Sequence, residues 1–425
     1  MIKSNIFLLI IFLWILNAFS QDNDSIADLL KQLQDLPDVS IEQIDLELKF
    51  KQPIDHFHPG NGTFEQKVYL SHKGKDRPVV LWLEGYESRG NYPQEITKIL
   101  DANQIIVEHR YFGASIPEPC DWKYLTIEQA AADHHAIVEA FKKIYNGKWI
   151  NSGISKGGQT TMYHRRFYPN DVDVSVCYVG PLNFSDQEKR VFKFLENVGD
   201  PESRAKILEF QKLVLEKKSE LMPLFKKYAD QKKYTFKIGL GAAYEYCALE
   251  YSFAFWQWHN FDGCDIPTSD DAPQTILDHF VAVADPDFFS DQGIARFHAF
   301  FYQALTQIGF YTYDIAPFEG LLHTVKQPDY SFSAPEGVEL TFDPQSMNDV
   351  DQWINDHGNN MIFIYGELDP WTSSAVQLSG KTNALKMVKK GGDHRTRINS
   401  FEGAEKEKIL STLGKWLDME IPGGN

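Results

Sequence analysis

Apolar and polar positions follow one rhythm near the start of this chain and another further in. Residues 44–50 alternate Ile-Asp-Leu-Glu-Leu-Lys-Phe, and residues 64–71 repeat the alternation. A period of two puts the apolar side chains on one face, which predicts two half-exposed antiparallel strands. Residues 78–83 and 104–107 are unbroken apolar runs, as parallel strands covered on both faces require. Residues 92–100 fit a crossover helix between them. Apolar and alanine positions recur at helical spacing over 126–145, with Thr126 and Glu128 as capping residues near the start. A short strand at 149–150 follows, then a helix over 160–168 stopped by Pro169 and Asn170, then a buried strand over 173–179.

Past Gly180 and Pro181 the texture turns helical. Residues 202–230, 241–259 and 290–308 carry helical periodicity, and residues 183–345 hold no continuous strand-like series. Strand patterns resume at 361–365 and 384–388, and a helix over 404–417 closes the chain. The prediction is one α/β domain with a mostly parallel, doubly wound sheet, encoded by residues 21–182 and 346–425 and interrupted by a helical cap over 183–345. Residues 22–40, with Leu29, Leu30, Leu33 and Leu36 at helical spacing, predict an amphipathic lead-in.

Composition changes the picture at the N-terminus. Lys3, the apolar run 6–16 and the small residues Ala18 and Ser20 make a basic region, a hydrophobic region and a cleavage site. Residues 1–20 therefore read as a removed secretory signal, which places the mature protein outside the cell or in the periplasm with no membrane segment left. The formal charge of −17 argues against nucleic acid as a partner. Cys120, Cys177, Cys247 and Cys264 lack zinc-type spacing. Export permits disulfides; Cys247 with Cys264 would close a short loop, and Cys177 suits a buried thiol.

The candidate chemistry begins at Gly153-Ile154-Ser155-Lys156-Gly157, a Gly-x-Ser-x-Gly turn between a strand and a helix. That context is the one a nucleophile elbow needs, the alternative being a surface turn rich in glycine and serine, and together with the strand-helix alternation around it the elbow predicts an α/β-hydrolase fold. A serine needs a histidine to take its proton and a carboxylate to orient that histidine, each on a loop after a strand and in the order Ser, acid, His. Asp369 follows the strand ending at Tyr365, and His394 follows the next strand-like run. Glu367 and Asp393 are the nearest rival acids. The backbone N–H of Lys156 and a second donor near Gly85 and Tyr86 are the expected oxyanion hole, with the Tyr111 side chain as an alternative donor.

Five stretches carry a resemblance: Phe50-Lys51-Gln52-Pro53-Ile54-Asp55-His56-Phe57, Glu84-Gly85-Tyr86, Glu108-His109-Arg110-Tyr111-Phe112-Gly113, Gly153 through Thr160, and Gly366-Glu367-Leu368-Asp369-Pro370-Trp371. Together they resemble secreted bacterial prolyl tripeptidyl aminopeptidases and, more distantly, the clan of lysosomal Pro-Xaa carboxypeptidase and dipeptidyl peptidase II. The resemblance implies a serine exopeptidase that cleaves after proline through Ser155, Asp369 and His394.

An aminopeptidase needs a buried carboxylate for the substrate ammonium, because an unpaired charge in a closed cleft is costly. Glu84, Glu245 and Glu250 are candidates, the latter two equally suited to being solvated helix residues. Phe253, Phe255, Trp256, Trp258 and Phe261 could wall a proline pocket, with Trp256 the chosen contact, or could be cap core. His134 and His135 face different directions on a helix, Asp55-His56-Phe57-His58 lacks a spaced partner, and Gly239-Leu240-Gly241 is no nucleotide fingerprint, so no metal or cofactor is expected. The expected partner is a peptide with a free N-terminus. Alternatives that use the same scaffold are an exported carboxylesterase or lipase and a non-catalytic binding protein.

Overall fold

The structure is a computed structural model and describes residues 44–258 and 265–422. The expected signal over 1–20, the lead-in over 22–40, Phe261 and Cys264 lie outside the described residues, so the pairing of Cys247 with Cys264 is not described.

The strands are β1 (Ile44–Pro53), β2 (Thr63–His72), β3 (Val79–Leu83), β4 (Asn103–Val107), β5 (Trp149–Ile154), β6 (Val174–Tyr178), β7 (Met361–Gly366) and β8 (Leu385–Lys389). They form one eight-stranded sheet in the order β1-β2-β4-β3-β5-β6-β7-β8. β1 and β2 pair antiparallel from Ile44 opposite His72 to Pro53 opposite Thr63, β2 pairs antiparallel with β4, and the remaining pairings are parallel. This is the α/β-hydrolase fold. The two rhythms of the sequence correspond to position in the sheet. β2, near the edge, alternates exposed and buried residues, whereas β3, β4, β6 and β7 are buried throughout.

Among the described residues the helices of the first half are α1 (Glu95–Leu100), α2 (Ile127–Phe141) and α3 (Lys156–Phe167). Thr126 caps α2 by accepting the Gln129 N–H at 3.1 Å. Between β6 and β7 run α4 (Arg190–Leu195), α5 (Pro201–Glu216), α6 (Lys218–Lys232), α7 (Leu240–Trp258), α8 (Pro273–Val283) and α9 (Asp291–Gln303), the last continuing into a π-helical turn at Ala304–Ile308. α10 (Pro344–His357) leads into β7, and α11 (Gly403–Leu417) closes the chain.

α1 and α11 cover one sheet face, where Ile96, Leu100, Ile409 and Leu413 meet Val80, Val176 and Ile362. α2 covers the other with Ile137, Val138 and Phe141 on Val79, Leu81 and Leu83. Each such fully buried side chain contributes about 2 kcal/mol. Cys177 is a buried thiol on β6, as its apolar surroundings predict, and Cys120 is exposed. Where the periodicity over 202–230 predicts continuous helix, the chain leaves the helix at Lys217, at φ −82° and ψ 12°. The break lets Phe210 and Val214 of α5 and Leu221 and Phe225 of α6 enter one core with α7. α7 is buried on almost every side, as an apolar helix at the centre of a helical layer must be. Among the described residues no helix is long and apolar enough to cross a membrane.

Candidate active site

Ser155 stands where β5 turns into α3, with φ 56° and ψ −120°. A side chain is strained there, and backbone bonds hold it: the Ser155 N–H donates to the Tyr178 carbonyl at 2.9 Å, and the Ser155 carbonyl accepts from Gln159 at 3.0 Å. The flanking glycines let the turn close. A Cβ on Gly153 would lie 2.3 Å from the Gly157 carbonyl oxygen, and one on Gly157 would lie 2.5 Å from that of Leu83. Ser155 lines a cavity of about 20 Å³ with Tyr86, Lys156, Gln159, Phe310 and Trp371.

Asp369 and His394 follow β7 and β8, and the fold brings His394 Nδ1 to 2.7 Å from Asp369 Oδ2, with both residues buried. The other oxygen, Oδ1, accepts the Trp371 N–H at 3.1 Å, so the acid is pinned from two sides. The His394 N–H donates to the Gln257 carbonyl of α7 at 3.0 Å, and the Trp258 ring meets the imidazole edge-on at 5.6 Å. The rival acids have other duties. Glu367 is exposed and accepts the Gly391 N–H at 2.8 Å, and Asp393 holds its neighbour Arg395 through Nε at 2.9 Å and through the backbone N–H at 2.8 Å.

Gly85 packs directly on the serine turn: a Cβ there would be 2.6 Å from Lys156 Cβ and 2.7 Å from the Gly157 nitrogen. The Lys156 amine donates to the Gly85 carbonyl at 2.7 Å. The Glu-His-Arg-Tyr stretch supports this loop. Glu108 accepts from the Ser88 N–H at 2.9 Å, the Ala114 N–H at 2.8 Å and the Ser115 hydroxyl at 2.8 Å, and it pairs with Lys67 at 2.7 Å. The His109 N–H donates to the Tyr86 carbonyl at 3.2 Å. Arg110, fully buried, grips Asp133 through Nε and Nη2 at 2.7 and 2.8 Å. It also reaches the Ile54 carbonyl at 3.1 Å and that of Tyr124 at 2.7 Å. The roles of Lys67 and Asp133 escape a sequence reading because their partners Glu108 and Arg110 lie 41 and 23 residues away. The Tyr111 hydroxyl donates to the Asp121 carbonyl, a partner within its own loop.

The three candidate glutamates differ. Glu245 is fully buried and saturated: Lys218 Nζ lies at 2.6 Å, and the N–H groups of His323, Thr324 and Val325 donate to it at 2.7 to 3.1 Å. Burial alone would raise its carboxyl, but Lys218 and these N–H groups hold it below the ordinary range. Its oxygens are committed to the turn at 323–325. Glu84 accepts the Trp82 indole N–H at 3.2 Å, and burial pushes it up to about 7. Glu250 accepts the Tyr311 and Tyr313 hydroxyls at 2.8 and 2.7 Å, both on Oε2, which leaves Oε1 without a partner among the described residues. Burial pushes Glu250 up to about 7 despite those two bonds.

Tyr311 stacks on Phe253 at 3.9 Å between centroids and meets Trp371 edge-on at 5.3 Å. The Phe253–Tyr311 pair forms a wall shared by the surroundings of Trp371 and by a second cavity of about 310 Å³, lined also by Tyr313, Phe318, Leu249 and Trp256. Trp256 is 3% exposed and packs so closely on Gly199 that a Cβ there would be 2.2 Å from its ring. One further cluster has metal-compatible spacing, His135, Glu139 and Asp171 within 4.8 Å. Its Asp171 already accepts from His164 Nε2 and lies beside His135 Nδ1, both at 3.0 Å.

The sequence model of one family, described as PS-10 peptidase S37, matches residues 40–420. This chain belongs to the S37 peptidase family. The prolyl tri/tetrapeptidyl aminopeptidase of Streptomyces mobaraensis is 36% identical over 385 residues, 88% of this chain and 80% of its own. The lysosomal Pro-X carboxypeptidase of Mus musculus is 27% identical over 167 residues, 34% of each chain. A solved proline iminopeptidase from Mycobacterium smegmatis shares 13% identity, with a TM-score of 0.42 over 87% of this chain and 98% of its own. This S37 member is thus a serine-type peptidase, in line with the motifs that resemble prolyl aminopeptidases.

Proposed function

We propose that this S37 peptidase is an exported exopeptidase that removes short peptides from a free N-terminus by cleaving after proline. Ser155 is the nucleophile, His394 takes its proton and later returns it to the leaving amine, and Asp369 holds the imidazole tautomer and offsets its charge. Attack on the carbonyl after proline gives an acyl-enzyme, which water then hydrolyses by the same route. The Lys156 and Tyr86 N–H groups are the oxyanion donors.

The observation that carries the N-terminal reading is Glu250: a buried carboxylate with one open oxygen and no cation beside it among the described residues, raised to about 7 by burial. A substrate ammonium would supply that cation. Tyr311 links this seat to Trp371, and Trp371 lines the Ser155 cavity. Glu245 lacks an open oxygen; Glu84, like Glu250, keeps one oxygen open among the described residues, but it is only half-buried, whereas Glu250 is buried beside Tyr311 and Tyr313. Cleavage after proline is supported by the named relative and by the aromatic surfaces of Phe310 and Trp371 beside Ser155.

The test is kcat/KM on a prolyl tripeptide anilide, its N-acetyl form and short acyl esters. A strong preference for the free peptide, abolished together with all hydrolysis in Ser155→Ala, is expected. Equal rates on free and blocked peptide exclude an N-terminal seat, and faster ester turnover favours an esterase. Export rests on the pattern of residues 1–20, and a mature N-terminus at Gln21 after secretion checks it.

A further inference from the structure

Lys156 follows Ser155 and is 2% exposed. A lysine so placed is expected to extend its amine to water or to a carboxylate. Here Nζ donates inward to the Gly85 carbonyl at 2.7 Å and rests over the rings of Tyr86 and Phe112, 5.7 and 5.1 Å from their centroids. Among the described residues no carboxylate pairs with it, and burial pushes the amine well below the ordinary lysine range. A buried amine without a counter-ion disfavours the fold, so its retention beside the nucleophile calls for a task.

Peptide geometry supplies one. The Gly85 carbonyl and the Tyr86 N–H belong to a single trans peptide unit and point in opposite directions. Whatever anchors the carbonyl also aims the N–H. Among the described residues the Tyr86 N–H donates to no acceptor, and Tyr86 shares the small cavity with Ser155. Gly85 itself is free to rotate in the way glycines are unless something holds it.

We propose that Lys156 is a positioning residue for the oxyanion hole, its amine fixing the Gly85 carbonyl so that the Tyr86 N–H faces the acyl oxyanion. Its own backbone N–H is the other donor, so one residue sets both. Donors held rigidly before the charge develops need no reorganisation in the transition state, which is where such groups act. The inference rests on Ser155 being the nucleophile.

Lys156→Met keeps length and apolar bulk and removes the amine. On a prolyl tripeptide anilide we expect kcat to fall about ten- to a hundredfold, with KM changing by about twofold or less. Affinity for the matching tripeptide aldehyde, whose adduct with Ser155 bears the oxyanion, should fall by the same factor as kcat. The thermal midpoint should hold or rise, because a desolvated amine has gone. Lys156→Gln, whose donor falls one bond short, is read in the same assays and should lie between wild type and Lys156→Met; it also serves if the methionine variant does not fold. Unchanged kcat and aldehyde affinity overturn the proposal, and so does an activity loss that tracks a lowered midpoint, which a packing role alone would give. Ser155→Ala separates the failures: activity in that variant breaks the nucleophile reading, whereas an inert Ser155→Ala beside a wild-type-like Lys156→Met overturns only the role of the lysine.

Discussion

Replacing Glu250 by glutamine should make this peptidase more stable and, at the same time, less able to read a free N-terminus. Burial moves the Glu250 carboxyl from its ordinary 4.5 to about 7. At about 1.4 kcal/mol per pH unit, ionising it inside the fold costs about 3 kcal/mol. The sign follows from linkage: between pH 4.5 and 7 the native state keeps a proton that the unfolded chain has lost, so stability falls as pH rises through that window. Glutamine can accept the same two tyrosine hydroxyls and has nothing to ionise. At pH 8 the variant should gain up to about 3 kcal/mol, roughly 4 °C in midpoint for a fold of this size. Near pH 4, where the wild-type carboxyl is protonated in both states, the gain should vanish. Binding moves the other way. Losing one partner of a buried charge pair costs about 2 kcal/mol or more, so kcat/KM for a free tripeptide should drop at least about thirtyfold while the N-acetyl peptide is unaffected. Wild-type kcat/KM should itself weaken below about pH 7 as Glu250 takes up its proton. Thermal melts at both pH values and kinetics on both peptides decide it. A variant that keeps the wild-type discrimination, with no stability gain at pH 8, refutes the ammonium seat.

Asp369→Asn should lower kcat by about four orders of magnitude through the wrong imidazole tautomer, whereas Asp393→Asn, whose side chain serves Arg395, should stay near wild type. Steady-state rates of the pair separate the two acids. Gly85→Ala places a methyl 2.6 Å from Lys156 Cβ and 2.7 Å from a backbone nitrogen, so the loop must retreat and kcat should fall with a smaller change in KM. Asp133→Leu leaves the fully buried Arg110 without its carboxylate and should cost about 3 to 5 kcal/mol, read by denaturant unfolding, without any specific effect on KM.

What was legible in the sequence was what local pattern dictates. Apolar runs marked β3, β4, β6 and β7 because both faces of those strands are covered, whereas β5 shows only its first two residues, 149–150, in the pattern because Asn151, Ser152 and Gly153 interrupt it. The Gly-x-Ser-x-Gly turn and the loops after β7 and β8 put Ser155, Asp369 and His394 at strand ends by chain order alone. The glutamates were not legible, because their difference lies in partners distant in sequence. Glu245 meets Lys218 and the backbone at 323–325, while Glu250 meets Tyr311 and Tyr313. On one helix, both acids look alike until those segments fold over them. The Lys156 side chain was hidden for the same reason, since its backbone role follows from the motif and its amine's partner comes from the loop after β3.

α7 ties these features together. It carries Glu250, and the carbonyl of its Gln257 accepts the N–H of His394. At 1.5 Å of rise per residue, those two positions are about 10 Å apart along the axis, and three extended residues span about 10 Å. A seat for the ammonium on this buried helix and a base whose loop is tied to the same helix by its backbone N–H would keep a fixed spacing, where an untethered loop would let it vary. Selectivity for peptide length would then be a property of α7 and its packing against Tyr311 and Trp371 rather than of any lid. Substitutions that loosen that packing, such as Phe253→Ala at the stacked wall, should blur the preference for one peptide length before they reduce cleavage itself, and rates on prolyl di-, tri- and tetrapeptide anilides would show it; an unchanged length profile in that variant would place the ruler elsewhere.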